Sequence, residues 1–148
     1  MNVLFYLTPK CDVAYIEEDD TLRQTLEKME HRRYSAVPML NKDGNYVGTI
    51  TEGDLLWGIK NIFNLDLREA ERIPVTSIPR MRDYVPISVR SDMDDLIRIA
   101  LNQNFVPVLD DEGKFIGIVT RKDIMQYYLD AKCKADSGLS KEKRMTVA

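Results

Sequence analysis

Two residue pairs in this chain could do chemistry at the same spacing: Thr51 with Asp54, and Thr120 with Asp123. A hydroxyl three residues before a carboxylate can close a helix start as a capping box. At a strand-to-helix corner it can also build a cradle. Free backbone N–H groups and the positive end of the helix dipole meet there, which suits a phosphate. A carboxylate one turn into the helix can accept bonds from two vicinal ribose hydroxyls, as in dinucleotide sites. Cap and ligand compete for only some of the amides, so both roles can hold together.

The flanking sequence makes the two pairs copies of one unit. Pro38 and Pro107, Gly44 and Gly113, Gly48 and Gly117, Thr51 and Thr120, and Asp54 and Asp123 all stand 69 residues apart. A constant long period reads as a duplicated structural unit. Val-Pro followed by apolar residues is extended, because proline disfavours the helical region for its predecessor. Asn41-Lys42-Asp43-Gly44 and Asp110-Asp111-Glu112-Gly113 are polar turns ending where positive φ is cheap. The runs from Tyr46 to Ile50 and from Phe115 to Val119 are β-rich, so each half is a hairpin running into a helix. An interior strand glycine, present twice, suggests close approach by another group.

Before each hairpin lies an amphipathic helix. Thr21 and Gln24 have capping-box spacing, and Leu22, Leu26 and Met29 share one helical face. In the second copy Ser91 with Asp94 is the cap-like pair. Met93, Ile97 and Ala100 form the apolar face there, with Leu96 and Leu101 beside it. Matching Met93 to Leu22 gives an offset of 71, so two residues are lost before the second hairpin. Val3 to Leu7 reads as a strand or a short leading arm, and Val13 to Ile16 and Val85 to Val89 are β-prone lead-ins. Residues 63–82 form the connection, extended around Pro74 and Pro79. From about Lys132 the periodicity ends, which reads as a mobile tail. The division is therefore 1–62 for the first repeat with its N-terminal arm, 63–82 for the connection, 83–131 for the second repeat and 132–148 for the tail. Neither half buries enough surface alone, so the two sheets are expected to pack face to face around one core.

Composition narrows the function. The 148 residues are 44% hydrophobic and 30% charged, with net charge −3 and no basic excess. That balance argues against a nucleic-acid partner. No run reaches the roughly 18 apolar residues needed to span a bilayer. The apolar start lacks a basic region and is broken by Pro9, a poor secretion signal. Cys11 and Cys133 are too far apart for a metal or redox motif. The reading is cytoplasmic, with no metal and no required cofactor. No residue set combines general acid, base and nucleophile, so an enzyme is disfavoured.

The order of Pro, polar turn, two glycines and Thr-x-x-Asp, given twice between roughly Val13 and Ala131, resembles the CBS domain. The tandem resembles the CBS pair, or Bateman module. The resemblance implies an α+β fold of two β-α-β-β-α repeats, packed as a pseudo-two-fold pair through their sheets. It implies clefts for adenosine-containing ligands: AMP, ADP or ATP, a cyclic dinucleotide, S-adenosylmethionine or NAD. By position, Thr51 and Thr120 resemble the residue touching ribose or phosphate, and Asp54 and Asp123 the one holding the ribose hydroxyls. Ser35-Ala36-Val37 before Pro38, and Asn104-Phe105-Val106 before Pro107, resemble the wall for adenine. Arg121 and Lys122 replace Glu52 and Gly53, which makes the second cleft more cationic; phosphate contact or a solvated charge both explain this. Arg80 and Arg82 are further phosphate candidates, with plain surface arginine as the competing account.

The function implied is a nucleotide sensor whose ligand alters a protein partner's binding. A ligand-free interaction scaffold is the alternative. The family also implies edge-to-edge pairing into a homodimer, to which Trp57, Met125 and Tyr128 could add apolar contacts.

Overall fold

The computed structural model of the chain describes residues 2–62, 67–81 and 83–145. Among these, β2 (Ile16–Glu17), α1 (Leu22–Arg32), β3 (Ala36–Leu40), β4 (Tyr46–Thr51) and α2 (Glu52–Ile62) form the first β-α-β-β-α unit. β5 (Ile87–Ser88), α4 (Met93–Ala100), β6 (Phe105–Leu109), β7 (Phe115–Thr120) and α5 (Arg121–Met145) repeat it. A two-residue β1 (Thr8–Pro9) precedes the first unit, and a short α3 (Leu67–Ala70) lies between the units.

The hairpins form in the same register. Pro38 faces Thr49 and Pro107 faces Ile118, with an irregularity after Met39 and after Val108. Proline is tolerated there at the cost of one ladder donor. β2 runs parallel to β3, and β5 parallel to β6. The first sheet is β2-β3-β4. The second is β1-β7-β6-β5, because β1 adds antiparallel to β7. The N-terminal arm thus packs on the second repeat, where Val3 joins the core. In exchange Ala70, Val75 and Ile78 of the connection enter the first core.

Each repeat has its own core. One gathers Ile16, Leu22, Met39, Ile50 and Leu55; the other Met93, Leu96, Val106, Val119 and Ile124. Among the described residues, a small seam of Ala36, Tyr84 and Phe105 lies between the sheets, flanked by Tyr46 and Ile118. One shared core was the expectation. Strand alternation explains the difference, since Val37 and Val106 point into their own halves while Ala36 and Phe105 point to the seam. The hairpin turns also meet, through Phe115 N to Gly44 O at 3.0 Å and Lys114 Nζ to Asp43 O at 2.7 Å.

Several local expectations change. Thr21 and Gln24 do form a full capping box. The second helix is capped by Asp92 and Asp95, one residue beyond Ser91 and Asp94. The 71-residue offset carries Thr21 to Asp92, and aspartate caps as well as threonine. The same offset carries the buried face Leu22, Thr25 and Met29 of α1 to Met93, Leu96 and Ala100, so these are buried while Ile97 and Leu101 are exposed. The lead-ins are shorter than expected. Of the two readings of the N-terminal stretch the arm holds, with Val3–Tyr6 a 3-10 turn ahead of β1; within the other lead-ins, Ile16–Glu17 and Ile87–Ser88 are the paired residues among those described. The connection holds α3 and a 3-10 turn at Val75–Ser77 instead of plain extended chain. The expected tail continues α5 as helix to Met145, because lysine and alanine carry good helix propensity without an apolar stripe. Phe63, Arg82 and residues 146–148 lie outside the described residues.

Candidate functional site

The sequence copies build matching corners. At the first, Glu52 N donates to Ser35 O; at the second, Arg121 N donates to Asn104 O, each at 2.9 Å. The threonine hydroxyls cap α2 and α5, accepting from Asp54 N at 3.1 Å and from Asp123 N at 3.2 Å. Two early amides of each helix are therefore already engaged, fewer free donors than the motif suggested. Ser35 and Asn104 meet across the pair, Nδ2 to Oγ at 3.2 Å.

The carboxylates then diverge. Asp54 is 5% exposed and fully occupied by the chain. It accepts from Thr51 N and from Met81 N, both at 3.1 Å. Among the described residues, the Asp123 carboxylate has no hydrogen-bond partner or ion pair, and it is half-buried.

What covers each corner follows from the lead-in sequence. The 71-residue offset pairs Pro9 with Arg80, Asp12 with Asp83 and Val13 with Tyr84. Arg80 and Asp83 form an ion pair at 2.9 Å and lie directly on Gly48. Tyr84 packs on Phe105 with ring centroids 4.8 Å apart, and its hydroxyl accepts from Asn104 N at 3.2 Å. The Tyr46 hydroxyl donates to Tyr84 O at 2.9 Å. The chain's own segment thus plugs the first cleft. Beside the second corner a cavity of about 260 Å³ remains, lined among others by Asp12, Val13, Ser35, Ala36, Phe105 and Thr120. Val13 leaves room where Tyr84 fills it.

The structure brings Ser35, Ala36, Pro38, Asn104, Phe105 and Thr120 to this cavity. Asp123 follows one turn after Thr120. Thr51 and Asp54 belong to the plugged corner. Val37 and Val106 are buried in their cores, and Pro107 is buried opposite Ile118. Arg121 turns away: its guanidinium donates to Ala100 O at 2.8 Å and Gln103 O at 2.9 Å, sealing the end of α4. Asp12, Val13 and Thr8 line the cavity although sequence reasoning passed over them. Their signal was the offset itself, which lays the lead-in of one repeat beside the corner glycine of the other.

Comparison with known proteins finds the same two repeats. The model of the CBS domain matches residues 6–61 and 68–130. The chain belongs to the CBS domain family. A CBS domain-containing protein of Dictyostelium discoideum is 32% identical to this CBS pair, over 84% of the chain and 90% of the relative. Among solved structures, CbpB in complex with c-di-AMP superposes with TM-score 0.79 at 22% identity, covering 93% of this chain and 91% of that one. CBSX2 in complex with AMP gives TM-score 0.66 at 20% identity, covering 88% and 98%. These two likenesses are of fold. No helix among the described residues is long and apolar enough to cross a membrane.

Proposed function

We propose that this CBS pair is a non-catalytic, cytoplasmic regulatory module that binds one adenosine compound per chain, in the cleft at Thr120 and Asp123. The observation that carries the reading is the contrast at the two corners: at one, Thr120 lines a cavity and Asp123, one turn further on, has no partner among the described residues; at the other, the carboxylate is tied to Met81 under its own chain. Fold likeness to proteins solved with AMP and c-di-AMP supports an adenosine ligand. Adenine would lie against Ala36 and Phe105, with the ribose hydroxyls on Asp123. Occupancy would shift the tilt between repeats, which works as regulation only if the ligand binds one arrangement better. A protein partner reads that change.

Calorimetric titration with adenosine, AMP, ADP, ATP, c-di-AMP, S-adenosylmethionine and NAD tests this. We expect at least one to bind with one site per chain. Saturation at 100 times Kd should raise Tm by roughly 5–10 °C. Asp123→Ala should weaken binding at least tenfold, whereas Asp54→Ala should leave it within about twofold. Two equal sites would overturn the single-cleft reading, and no binding across the panel would favour a scaffold role. The module would also pair into a homodimer, since Leu56, Trp57, Met125 and Leu129 expose apolar surface on α2 and α5. A monomeric mass by light scattering at micromolar concentration would exclude that.

A further inference from the structure

The lining of the open cleft carries negative charge, while Lys122, beside Asp123, is exposed and is not among the lining residues. Among the described residues, Asp12 is the one charged side chain lining the cavity. Its counterpart Asp83 is neutralised by Arg80. Asp12 has Pro9 where that arginine would stand, and it forms no ion pair among the described residues. Asp123, one turn after the lining residue Thr120, is a second carboxylate with no partner among the described residues. Against these stands the α5 start, equivalent to about half a positive charge. Even that is reduced, because Arg121 N and Asp123 N already have partners. The Arg121 guanidinium faces the end of α4 and is held by two carbonyls.

The cavity adjoins a wider groove along α1, which shares Asp12, Val13, Ala14 and Tyr34 with it. That groove supplies no cationic surplus. Asp12 and Glu27 face Lys28 and Arg32, with His31 alongside. Lys28 is paired with Asp20 at 2.7 Å.

We infer that this cleft selects an adenosine compound whose 5′ substituent is neutral or cationic, with Asp12 as the specificity-determining residue that turns phosphates away. The inference rests on the adenosine reading of the cleft. A ligand anion about 6 Å from an unpaired carboxylate in a high-dielectric cleft loses roughly three- to tenfold in affinity per charge. The penalty is screened by salt, so it is best read at low ionic strength.

The experiment is calorimetric titration of the full chain with S-adenosylmethionine, adenosine, AMP and ATP, on wild type and on Asp12→Asn. The Asp12 side chain makes no hydrogen bond among the described residues, so the variant should fold normally; its urea midpoint checks this. Expected is the affinity order cation, neutral, monophosphate, triphosphate. In Asp12→Asn, AMP should gain at least threefold relative to adenosine. AMP or ATP binding more tightly than adenosine, or an unchanged AMP-to-adenosine ratio in the variant, overturns the inference while leaving the adenosine cleft intact. If none of the four binds while ADP, c-di-AMP or NAD does, the inference falls and the adenosine reading stands; if nothing in the full panel binds, both fall.

Discussion

Gly48 lies under the side-chain ends of Arg80 and Asp83, whereas Gly117 lies under the backbone of Thr8 and Pro9. Around Gly48 the chain places Tyr46, Tyr84 and an ion pair. At the equivalent positions on the other side stand Phe115, Val13 and an unpaired Asp12. The corner motif is duplicated faithfully, yet the segment laid across it is not. Duplication therefore preserves the cap, which each helix needs to start, while the occupant of each corner follows the lead-in and diverges freely. A repeated binding motif is not by itself two binding sites.

The largest expected effect separates the glycines. A Cβ on Gly117 would come within 2.2 Å of Thr8 O, and backbone paired in a sheet cannot swing aside. Gly117→Ala should lose about 3 kcal/mol by urea unfolding, in the upper range for overpacking. A Cβ on Gly48 meets Asp83 Oδ1 at 2.6 Å and Arg80 Cζ at 2.8 Å, both near the ends of flexible side chains. Gly48→Ala should cost about 1 kcal/mol. Equal losses would show that the plug is as rigid as a strand and would break the contrast.

The next effect separates the carboxylates. Asp54→Ala strips partners from Thr51 N and Met81 N at a buried site, and each unsatisfied amide costs about 1–3 kcal/mol, partly recovered by relaxation. We expect a net loss of about 2 kcal/mol. Asp123→Ala removes a carboxylate with no partner in the chain and should stay within about 0.5 kcal/mol. Thermal unfolding of the two variants without ligand is sufficient. A large loss in Asp123→Ala would mean that its side chain serves the fold.

Much of this was legible in the residues. The 69-residue period fixed both hairpins and both corners because turn glycines, strand prolines and helix caps each have narrow backbone demands. The cap at Asp92 was legible only through the second offset, since Ser91 and Asp94 fit the same loose pattern. The plug was not legible. Tyr84 and Arg80 reach the first cleft through tertiary packing of an aperiodic connection, and no local pattern specifies where such a segment lands. Arg121 was misleading for a related reason: a cation beside a binding motif also serves the carbonyls at a neighbouring helix end, as it does here with Ala100 and Gln103. The long α5 was missed because helix propensity without an apolar face leaves no periodicity to read.

The smallest effect sits in the plug itself. Tyr46 is Phe115 in the other repeat, so Tyr46→Phe makes the two sides alike at that position. Its hydroxyl meets Thr49 Oγ1 at 2.7 Å and donates to Tyr84 O. Losing that bond should cost about 1 kcal/mol at neutral pH. Burial, with a smaller push from Asp83, raises the phenol above the ordinary tyrosine range, against a downward pull from its Thr49 hydrogen bond. A raised folded-state pKa means the fold favours the neutral phenol. Its contribution is complete below the unfolded value of about 10 and is lost as pH rises beyond it. The stability gap between wild type and Tyr46→Phe should therefore hold from about pH 7 to 9 and shrink above about pH 10. Urea unfolding across that range reads it directly. A gap that stays constant into the alkaline region would mean that the phenol is not held neutral by the plug, and that Tyr84 stays in the first cleft through its packing on Phe105 alone.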